Sequence, residues 1–353
     1  MASGLDGVIA AETVLSHIDR TNGMVWVRGH DLPTLVARHG FEGTIALLWG
    51  GFAGEALTPG GIADAFARAR LAAYKAIPDW LAEAPGRSLF EAMRTAIAAQ
   101  PDSADAAALV GALTVAVPAL VRQASGLSAL PPDPSLSTAS DLLRMLHGAT
   151  ADTVNVAALD TYFTVMAESG LSASAFAARV VASTRASLTA SVLAAWCAFT
   201  GSLHGGAPGP TLDMLDAAEK AADLDAWLEA RLRSGERLMG FGHRVFQGND
   251  PRAEAMRRSL QAMGPHAGRL AFAGQLEKAV AAAIERVKPG RTLPPNVEIM
   301  AALLLDAVGI PRHAFTLVFA VGRSAGWLAH AMEQQKTGRM IRPASAYVGP
   351  PIG

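Results

Sequence analysis

Alanine- and leucine-rich segments with apolar residues at helical spacing follow one another along most of this chain of 353 residues. Apolar residues that recur every three or four positions form a stripe on one side of a helix, and such stripes pack together in a core. Strand patterns are rare, and the best one is the segment 23–29, in which apolar residues alternate between two glycines. The sequence therefore predicts an all-α protein with a small N-terminal β hairpin.

Turn residues divide the helical pattern into separate elements. The segments 78–86 and 127–134, which are rich in proline, are typical of loops. The predicted helices cover roughly residues 32–39, 41–49, 59–76, 89–98, 104–125, 139–146, 154–169, 173–183, 186–200, 211–219, 225–234, 251–263 and 275–287.

The helical segments become more polar beyond residue 206 and apolar again near residue 310. A solvated run between two apolar ones is typical of a smaller lobe inserted into a larger helical domain. We therefore predict a large helical domain formed by residues 1–205 and 309–353 and a small helical domain formed by residues 206–308. Ligands commonly bind in clefts between such lobes.

The charge distribution excludes several classes of partner. The net charge is −1 and the 30 Lys and Arg residues are spread along the chain, which leaves no basic surface for nucleic acid or an anionic membrane. The N-terminal segment lacks the basic and apolar regions of a signal peptide, so we expect a cytoplasmic protein. The charge-free runs 106–121 and 186–203 approach the length of a membrane span, but their many small residues favour helices buried in a protein core.

Several polar residues are predicted to play structural parts. Cys197 is the only cysteine and lies in an apolar run, so it cannot form a disulfide within the chain and is expected to be a buried thiol. His330 is expected to make a structural hydrogen bond. Glu333, Gln334 and the polar residues that follow are expected to form a solvated helix end.

Two stretches place a histidine, His204 and His243, beside glycines. Glycine lets a ligand approach the backbone closely, and an imidazole can donate or accept a proton near neutral pH. Glu298 lies among apolar neighbours, and such surroundings raise the pKa of a carboxyl group toward that of a general base. Two glycine turns with solvated histidines are the alternative interpretation, but the whole set suits the removal of a proton next to a carbonyl group.

Three arginines, Arg252, Arg323 and Arg342, accompany these stretches. A guanidinium group donates two parallel hydrogen bonds to a carboxylate, so three of them suit a substrate with several carboxylates. Their spacing in the sequence does not show whether they converge.

The same residues resemble the ordered motifs of the citrate synthases, in a match that covers nearly the whole chain. The C-terminal Tyr-Val-Gly-Pro segment and the Ala-Pro-Gly-Pro after the first motif resemble the short bacterial citrate synthase 2 group most closely. The motifs are His-Gly-Gly-Ala at 204–207, Gly-Phe-Gly-His-Arg-Val at 240–245 with Asp-Pro-Arg at 250–252, Pro-Asn-Val-Glu at 295–298, Gly-Arg-Ser-Ala-Gly-Trp at 322–327 and Ile-Arg-Pro at 341–343.

This resemblance implies a helical homodimer that performs a Claisen condensation of acetyl-CoA with oxaloacetate, giving citrate and CoA. It implies that Glu298 removes a proton from the methyl group of acetyl-CoA and that His204 stabilises the resulting enol or enolate. It further implies that His243 polarises the ketone of the acceptor and gives it a proton.

The resemblance also implies the binding groups of both substrates. Arg252 and Arg323 would hold the carboxylates of oxaloacetate, and Arg342 would reach the same site from the partner subunit. No metal and no tightly bound cofactor are implied, because the CoA thioester is a substrate. The adenine of CoA would be held by Leu238, Met239, Gly240, Phe241 and Gly242, with Arg244 near its phosphates.

The chain departs from the family's pattern at three positions. Glu298 stands where most members have aspartate, and Arg185 stands where a glycine is expected. Ser169 replaces a histidine that binds oxaloacetate in the family, and its short hydroxyl cannot reach as far as an imidazole without a water between. We therefore expect Ser169 to line an altered acceptor site, with an affinity for oxaloacetate lower by roughly tenfold to a few hundredfold.

Ser169 keeps other functions open. One alternative is condensation, cleavage or hydrolysis with another acyl-CoA, such as propionyl-CoA, or another 2-oxo acid. The other is a non-catalytic paralogue that binds CoA, against which the intact His204, His243, Glu298 and arginines argue.

Overall fold

The computed structural model describes residues 4–5, 7–19, 21–54, 57–202, 204–205, 208–242, 250–264 and 269–350. A three-stranded antiparallel sheet lies near the N-terminus, formed by β1 (Ser16–Asp19), β2 (Met24–Val27) and β3 (His30–Asp31) in that order. Ser16 pairs with Val27, and Val27 pairs with His30. The predicted hairpin is therefore present, and a short third strand extends it.

Helices form the rest of the regular structure that is described, which confirms the all-α prediction. Their bounds are α1 (Leu32–Arg38), α2 (Gly40–Trp49), α3 (Pro59–Lys75), α4 (Ile77–Leu81), α5 (Leu89–Ala98), α6 (Ala106–Ala124), α7 (Thr138–His147), α8 (Thr153–Met166), α9 (Ala173–Ser183), α10 (Leu188–Phe199), α11 (Pro208–Glu219), α12 (Leu224–Ser234), α13 (Pro251–Ala262), α14 (Leu270–Val287), α15 (Val297–Ala307) and α16 (Phe315–Thr337).

Local signals set many helix starts. Before α5, Ser88 accepts a hydrogen bond from the backbone N–H of Glu91, and the Glu91 carboxylate accepts one from the backbone N–H of Ser88. This capping box satisfies backbone donors that have no partner within the helix. Serines also cap α9 and α10, where Ser172 and Ser187 accept hydrogen bonds from the third helical residue.

Helix α16 lies at the centre of the core and is buried from Phe315 to Gln334. It packs on α6, α8, α9 and α10. The contact with α8 is close, because a Cβ atom on Gly326 would lie 2.3 Å from the carbonyl oxygen of Ala167. Gly326 therefore lets the end of α8 and the residues that follow α8 lie directly against α16. Arg323 is on the same part of α16, one turn before Gly326.

The structure corrects four predictions about individual segments. Helix α4 overlaps the predicted loop 78–86, because Ile77 and Trp80 bury their side chains against the core. Helix α8 ends at Met166, three residues before its predicted end at Ser169. Cys197 is exposed on α10 and is not a buried thiol. Glu333 and Gln334 are 2% and 5% exposed, so this end of α16 is buried where we predicted a solvated one.

Helix α6 is the one described helix that is long and apolar enough to span a membrane by length and composition. Within its most apolar window, 72% of the residues are buried inside the protein, in agreement with the prediction of a core helix. The division into domains at residues 206 and 308 stays a prediction.

Candidate active site

His204 follows the end of α10 and faces the first turn of α9. Its Nε2 atom lies 2.8 Å from the Oγ atom of Ser174 and accepts a hydrogen bond of 3.3 Å from the backbone N–H of Ser174. The Nε1–H group of Trp327 donates to the same Oγ at 3.0 Å, and the Oγ atom of Ser172 lies 3.3 Å from it. A backbone N–H can only donate, so Nε2 is an acceptor and the proton of the neutral ring sits on Nδ1.

Burial keeps this imidazole neutral. It lowers the pKa of His204 to about 4, and the positive charge of Arg323 acts in the same direction. The turn that carries His204 is held in place by the backbone N–H of Gly205, which donates to the carbonyl of Phe199 at 2.8 Å. A side chain at Gly205 would collide with the Phe199 ring, whose Cε1 would lie 2.7 Å from the new Cβ atom. His204 is therefore a neutral hydrogen-bond donor on a rigid turn.

Glu298 lies in the first turn of α15. Asn296 caps this helix, and its Oδ1 atom accepts a hydrogen bond from the backbone N–H of Glu298 at 2.9 Å. The segment 240–242 binds the residues before the cap, since Gly240 accepts from the backbone N–H of Asn296 and Gly242 donates to Pro294, both at 2.8 Å. Gly240 has φ +82°, and a Cβ atom there would lie 2.4 Å from Ile299, so only glycine fits.

The carboxyl group of Glu298 has the properties of a general base. Burial raises its pKa to about 7 and Asp250 acts in the same direction, whereas Arg252 and Arg323 oppose the rise. Its Oε2 atom is covered and has no hydrogen-bond partner in the described part of the chain. The residue as a whole is partly exposed. A base with this pKa is about half ionised near neutral pH.

Arg252 and Arg323 converge on one hydroxyl group. The Oγ atom of Ser169 accepts a hydrogen bond from Nη1 of Arg252 at 2.9 Å and one from Nη2 of Arg323 at 3.2 Å. Arg323 is also held by the carbonyl of Met166, and Arg252 by the carboxylate of Asp250 through two hydrogen bonds of 3.0 and 2.7 Å. Residues distant in sequence thus form a cationic pair that suits an anion with more than one carboxylate.

Ser169 is more than a shortened histidine. A hydroxyl oxygen has two acceptor lone pairs, and here both are taken by guanidinium donors, so its own proton is left for another acceptor. Ser169 therefore keeps two like charges apart and presents a donor beside them. The sequence predicted its place in the acceptor site but not this bridge.

The carboxylate of Glu168, the residue before Ser169, fixes this part of the chain by accepting three hydrogen bonds. Its Oε1 atom accepts hydrogen bonds from Ser16, from the backbone of Gly170 and from Nε2 of His330, at 2.9, 2.6 and 3.1 Å. His330 in turn accepts from Arg179 at Nδ1, which confirms the predicted structural hydrogen bond.

Glu333 is buried because Arg179, Thr13 and the backbone of Val14 all donate to it.

A second concave region lies beside the segment 238–242. Leu238, Phe241 and Gly242 line an open pocket of about 330 Å³. Of the other two residues predicted to hold the adenine of CoA, Met239 is partly buried against the core and Gly240 lies against Ile299. Three cations that sequence reasoning missed also line the pocket: Arg237, Lys288 and Arg291.

Three of the predicted site residues, Arg342, His243 and Arg244, are not seen at the site formed by Arg252, Arg323 and Glu298. Arg342 is exposed in the extended segment after α16, and no described contact joins it to Arg252 or Arg323. His243 and Arg244 lie outside the described residues. Sequence reasoning also missed Ser174 and Asp250, which hold His204 and Arg252; the polar residues at the starts of α9 and α13 were the available signal.

The chain is similar to known proteins, in sequence and in fold, along nearly its whole length. Residues 4–344 match the sequence family described as citrate synthase, C-terminal domain. The chain is 31% identical to citrate synthase 2 of Bacillus subtilis, with 98% of this chain and 95% of that protein covered. It is 34% identical to 2-methylcitrate synthase of Mycobacterium tuberculosis, with 98% and 90% covered. The crystal structure of citrate synthase from Thermotoga maritima is similar with a TM-score of 0.87 and 28% identity, covering 99% of this chain and 96% of that chain.

Proposed function

Because this chain belongs to the citrate synthase family, whose enzymes condense an acyl-CoA with oxaloacetate, we propose that it forms citrate and CoA from acetyl-CoA and oxaloacetate. One observation carries the proposal: Arg252 and Arg323 meet at the hydroxyl of Ser169 while both act electrostatically on Glu298, a carboxyl group with a pKa of about 7. The site thus combines a dicarboxylate receptor with a base.

The first step removes a proton from carbon. The ionised carboxylate of Glu298 takes a proton from the methyl group of the thioester, and the electron pair moves onto the thioester oxygen. His204 donates a hydrogen bond from Nδ1–H to that oxygen as its negative charge develops. Because the imidazole is neutral, Nδ1–H stabilises the enolate by a hydrogen bond and the site does not bury an additional positive charge.

The second step forms the carbon–carbon bond. The methylene carbon of the enolate attacks the ketone carbon of oxaloacetate, and the ketone oxygen takes up a proton and becomes the hydroxyl group of citryl-CoA. His243 is the proposed donor of that proton, as its motif implies. Arg252, Arg323 and Ser169 hold the acceptor's carboxylates, and water then hydrolyses the thioester to citrate and free CoA.

The pocket at Leu238, Phe241 and Gly242 is the proposed site of the CoA adenine. Its apolar side accommodates a planar ring, while Arg237, Lys288 and Arg291 offer positive charge to the phosphates. In this family CoA is a substrate and no tightly bound cofactor is needed. Arg244 remains a proposed phosphate ligand.

We further propose that the chain works as a homodimer in which Arg342 completes the acceptor site of the partner subunit. Its exposure on an extended segment after α16 supports this role, because the side chain is available to a second copy. The acceptor site joins the two predicted domains, because Arg252 belongs to residues 206–308 whereas Ser169 and Arg323 belong to the large domain, and we propose that the small domain closes over the substrates.

The similarity to a 2-methylcitrate synthase supports propionyl-CoA as a second candidate acyl donor. Propionyl-CoA has one more carbon than acetyl-CoA, and its α-carbon loses a proton to the same base. Ser169 lies in the proposed acceptor site, where it replaces the family's histidine. A 2-oxo acid other than oxaloacetate is therefore the alternative acceptor.

Release of free thiol from acetyl-CoA and propionyl-CoA, measured against a panel of 2-oxo acids, tests the proposal. We expect the highest kcat/KM with acetyl-CoA and oxaloacetate, and a loss of at least about a hundredfold in Glu298→Gln because the base is gone. A higher kcat/KM for propionyl-CoA or another acceptor would replace the proposed substrates. CoA binding without thiol release from any pair would overturn an enzymatic function.

A further inference from the structure

Tyr162 on α8 is completely buried beside the site and has no role in the steps above. Its ring packs against Phe163 and Phe319, at centroid distances of 6.0 and 6.3 Å, and its relative exposure is 0%. Its hydroxyl has no hydrogen-bond partner among the described residues. A buried hydroxyl without a partner is costly, so an unpaired one in a folded protein calls for an explanation.

Glu298 supplies the complementary atom. Its Oε2 is likewise covered and without a partner in the described part of the chain. Helices α8 and α15, which carry the two residues, pack against each other. Burial raises the pKa of Tyr162 well above its usual value and the nearby Glu298 carboxylate adds to this rise, so the two groups lie within electrostatic reach. A buried donor and a covered acceptor thus lie on two helices that pack against each other.

The other groups around Glu298 are already engaged. Asp250 and Arg252, at the start of α13, pair with each other, and Arg252 also donates to Ser169. Arg323 on α16 donates to Met166 and Ser169.

The helix α11 also packs against α15, but its acidic side chains face a different set of cations. Asp213 and Asp216 pair with Arg312, and Asp216 and Glu219 pair with Arg269. They do not enter the balance of charges that sets the pKa of Glu298. The phenol of Tyr162 is therefore the buried donor near Glu298 that has no described acceptor.

We propose that Tyr162 is a positioning residue for the general base: its hydroxyl donates a hydrogen bond to Oε2 of the ionised Glu298, directly or through one buried water. This inference rests on the proposed function only for the role of Glu298 as the base. The bond occupies the covered oxygen and leaves Oε1 for the proton of the thioester substrate. The phenol keeps its own proton throughout, because its pKa lies far above the working pH.

The bond favours the ionised carboxylate, since a hydrogen bond to a charged acceptor is stronger than one to a neutral acid. Its removal in Tyr162→Phe should raise the pKa of Glu298 by about one unit. The acidic limb of kcat/KM should move up by the same amount, which lowers kcat/KM roughly fivefold to tenfold at pH values below the pKa. At about pH 9, where the base is ionised in both proteins, kcat and the KM for the thioester should approach the wild-type values.

Tyr74→Phe is the matched control, because it removes a partly buried hydroxyl that bonds to Ala129 elsewhere in the protein. It should leave the pH profile unchanged. Phenylalanine fills the same space as the tyrosine ring, and thermal unfolding of both variants checks that they are folded.

Infrared spectroscopy of the substrate-free enzyme gives a second readout that does not depend on activity. The carboxylic acid C=O band that disappears in Glu298→Gln identifies Glu298, and its titration gives the pKa directly. We expect the midpoint to rise by about one unit in Tyr162→Phe and to stay in place in Tyr74→Phe. An unchanged midpoint would overturn the proposal. A shifted midpoint with an unshifted rate profile would support the contact and would instead contradict the role of Glu298 as the base.

Discussion

The hydroxyl of Ser174 lies 2.8 Å from Nε2 of His204, and the backbone N–H of the same residue donates to this nitrogen at 3.3 Å. The hydroxyl also accepts a hydrogen bond from Nε1–H of Trp327. Because the backbone N–H can only donate, Nε2 is an acceptor and the proton of the neutral ring is placed on Nδ1.

Ser174→Ala removes the shorter of the two contacts to Nε2 and keeps the hydrogen bond from the backbone N–H, so the tautomer is retained. We expect kcat to fall roughly fivefold to tenfold, because the imidazole loses a hydrogen bond that holds its ring in position. The free energy of unfolding should also fall by about 1–3 kcal/mol, since Nε1–H of Trp327 loses its acceptor. Steady-state kinetics and urea unfolding measure the two effects. Ser137→Ala is the control: it removes the serine cap of α7 and costs about 1 kcal/mol, but it should leave kcat unchanged.

Ser169→His tests the acceptor site. An imidazole can donate to a substrate carboxylate at a point that the serine hydroxyl does not reach, so we expect the KM for oxaloacetate to fall by about tenfold. Ser169→Ala should raise that KM, because it removes the acceptor that lies between Arg252 and Arg323. If turnover of oxaloacetate does not improve in Ser169→His, the predicted role of this position in limiting affinity is wrong.

Glu298 should make stability depend on pH. In the unfolded chain its pKa is near 4.5, and in the fold burial raises it to about 7. Between these values the folded protein binds a proton that the unfolded chain has released, so the free energy of unfolding decreases as the pH rises through this range. The cost reaches at most about 3 kcal/mol above the folded pKa.

Glu298→Gln removes this dependence. Urea unfolding at about pH 5 and about pH 8.5 should show that the variant gains stability relative to the wild type at the higher pH. Glu83→Gln, which changes an exposed carboxyl group in a surface ion pair, should show no such gain. Equal differences at both pH values would contradict the raised pKa.

Arg185 adopts φ +64°, a left-handed conformation that disfavours side chains with a Cβ atom. Arg185→Gly should therefore raise the free energy of unfolding by about 1 kcal/mol, whereas Arg185→Ala should not, because alanine keeps the Cβ atom. Thermal unfolding of both variants distinguishes the backbone effect from loss of the arginine side chain. A glycine variant no more stable than the alanine variant would show that the strain is relieved elsewhere.

Two helices could be predicted to the residue, and physical reasons explain which ones. Helices α5 and α9 begin and end at 89–98 and 173–183 as predicted, because serine caps and a clear apolar stripe mark their ends. Helix α4 was missed because its proline-rich sequence has a loop pattern, and its helical form depends on burying Ile77 and Trp80.

The burial of charged side chains could not be predicted from the sequence either. Glu333 has the pattern of a solvated helix end, yet Arg179, Thr13 and the backbone of Val14 reach it from distant parts of the chain and satisfy its carboxylate. A polar residue can be buried wherever partners meet it, and those partners are set by packing.

The sequence by itself determined the helical class, the approximate bounds of most helices up to residue 287 and, through its ordered motifs, the family. Those properties depend on local spacing and on residue identity. Only the tertiary structure decided that Arg252 and Arg323 share the hydroxyl of Ser169, that Ser174 sets the proton of His204 and that Tyr162 lies near Glu298. These relations join residues that are far apart in the chain, and they arise from close helix packing at glycines such as Gly326 and from burial, which gives each polar contact its strength.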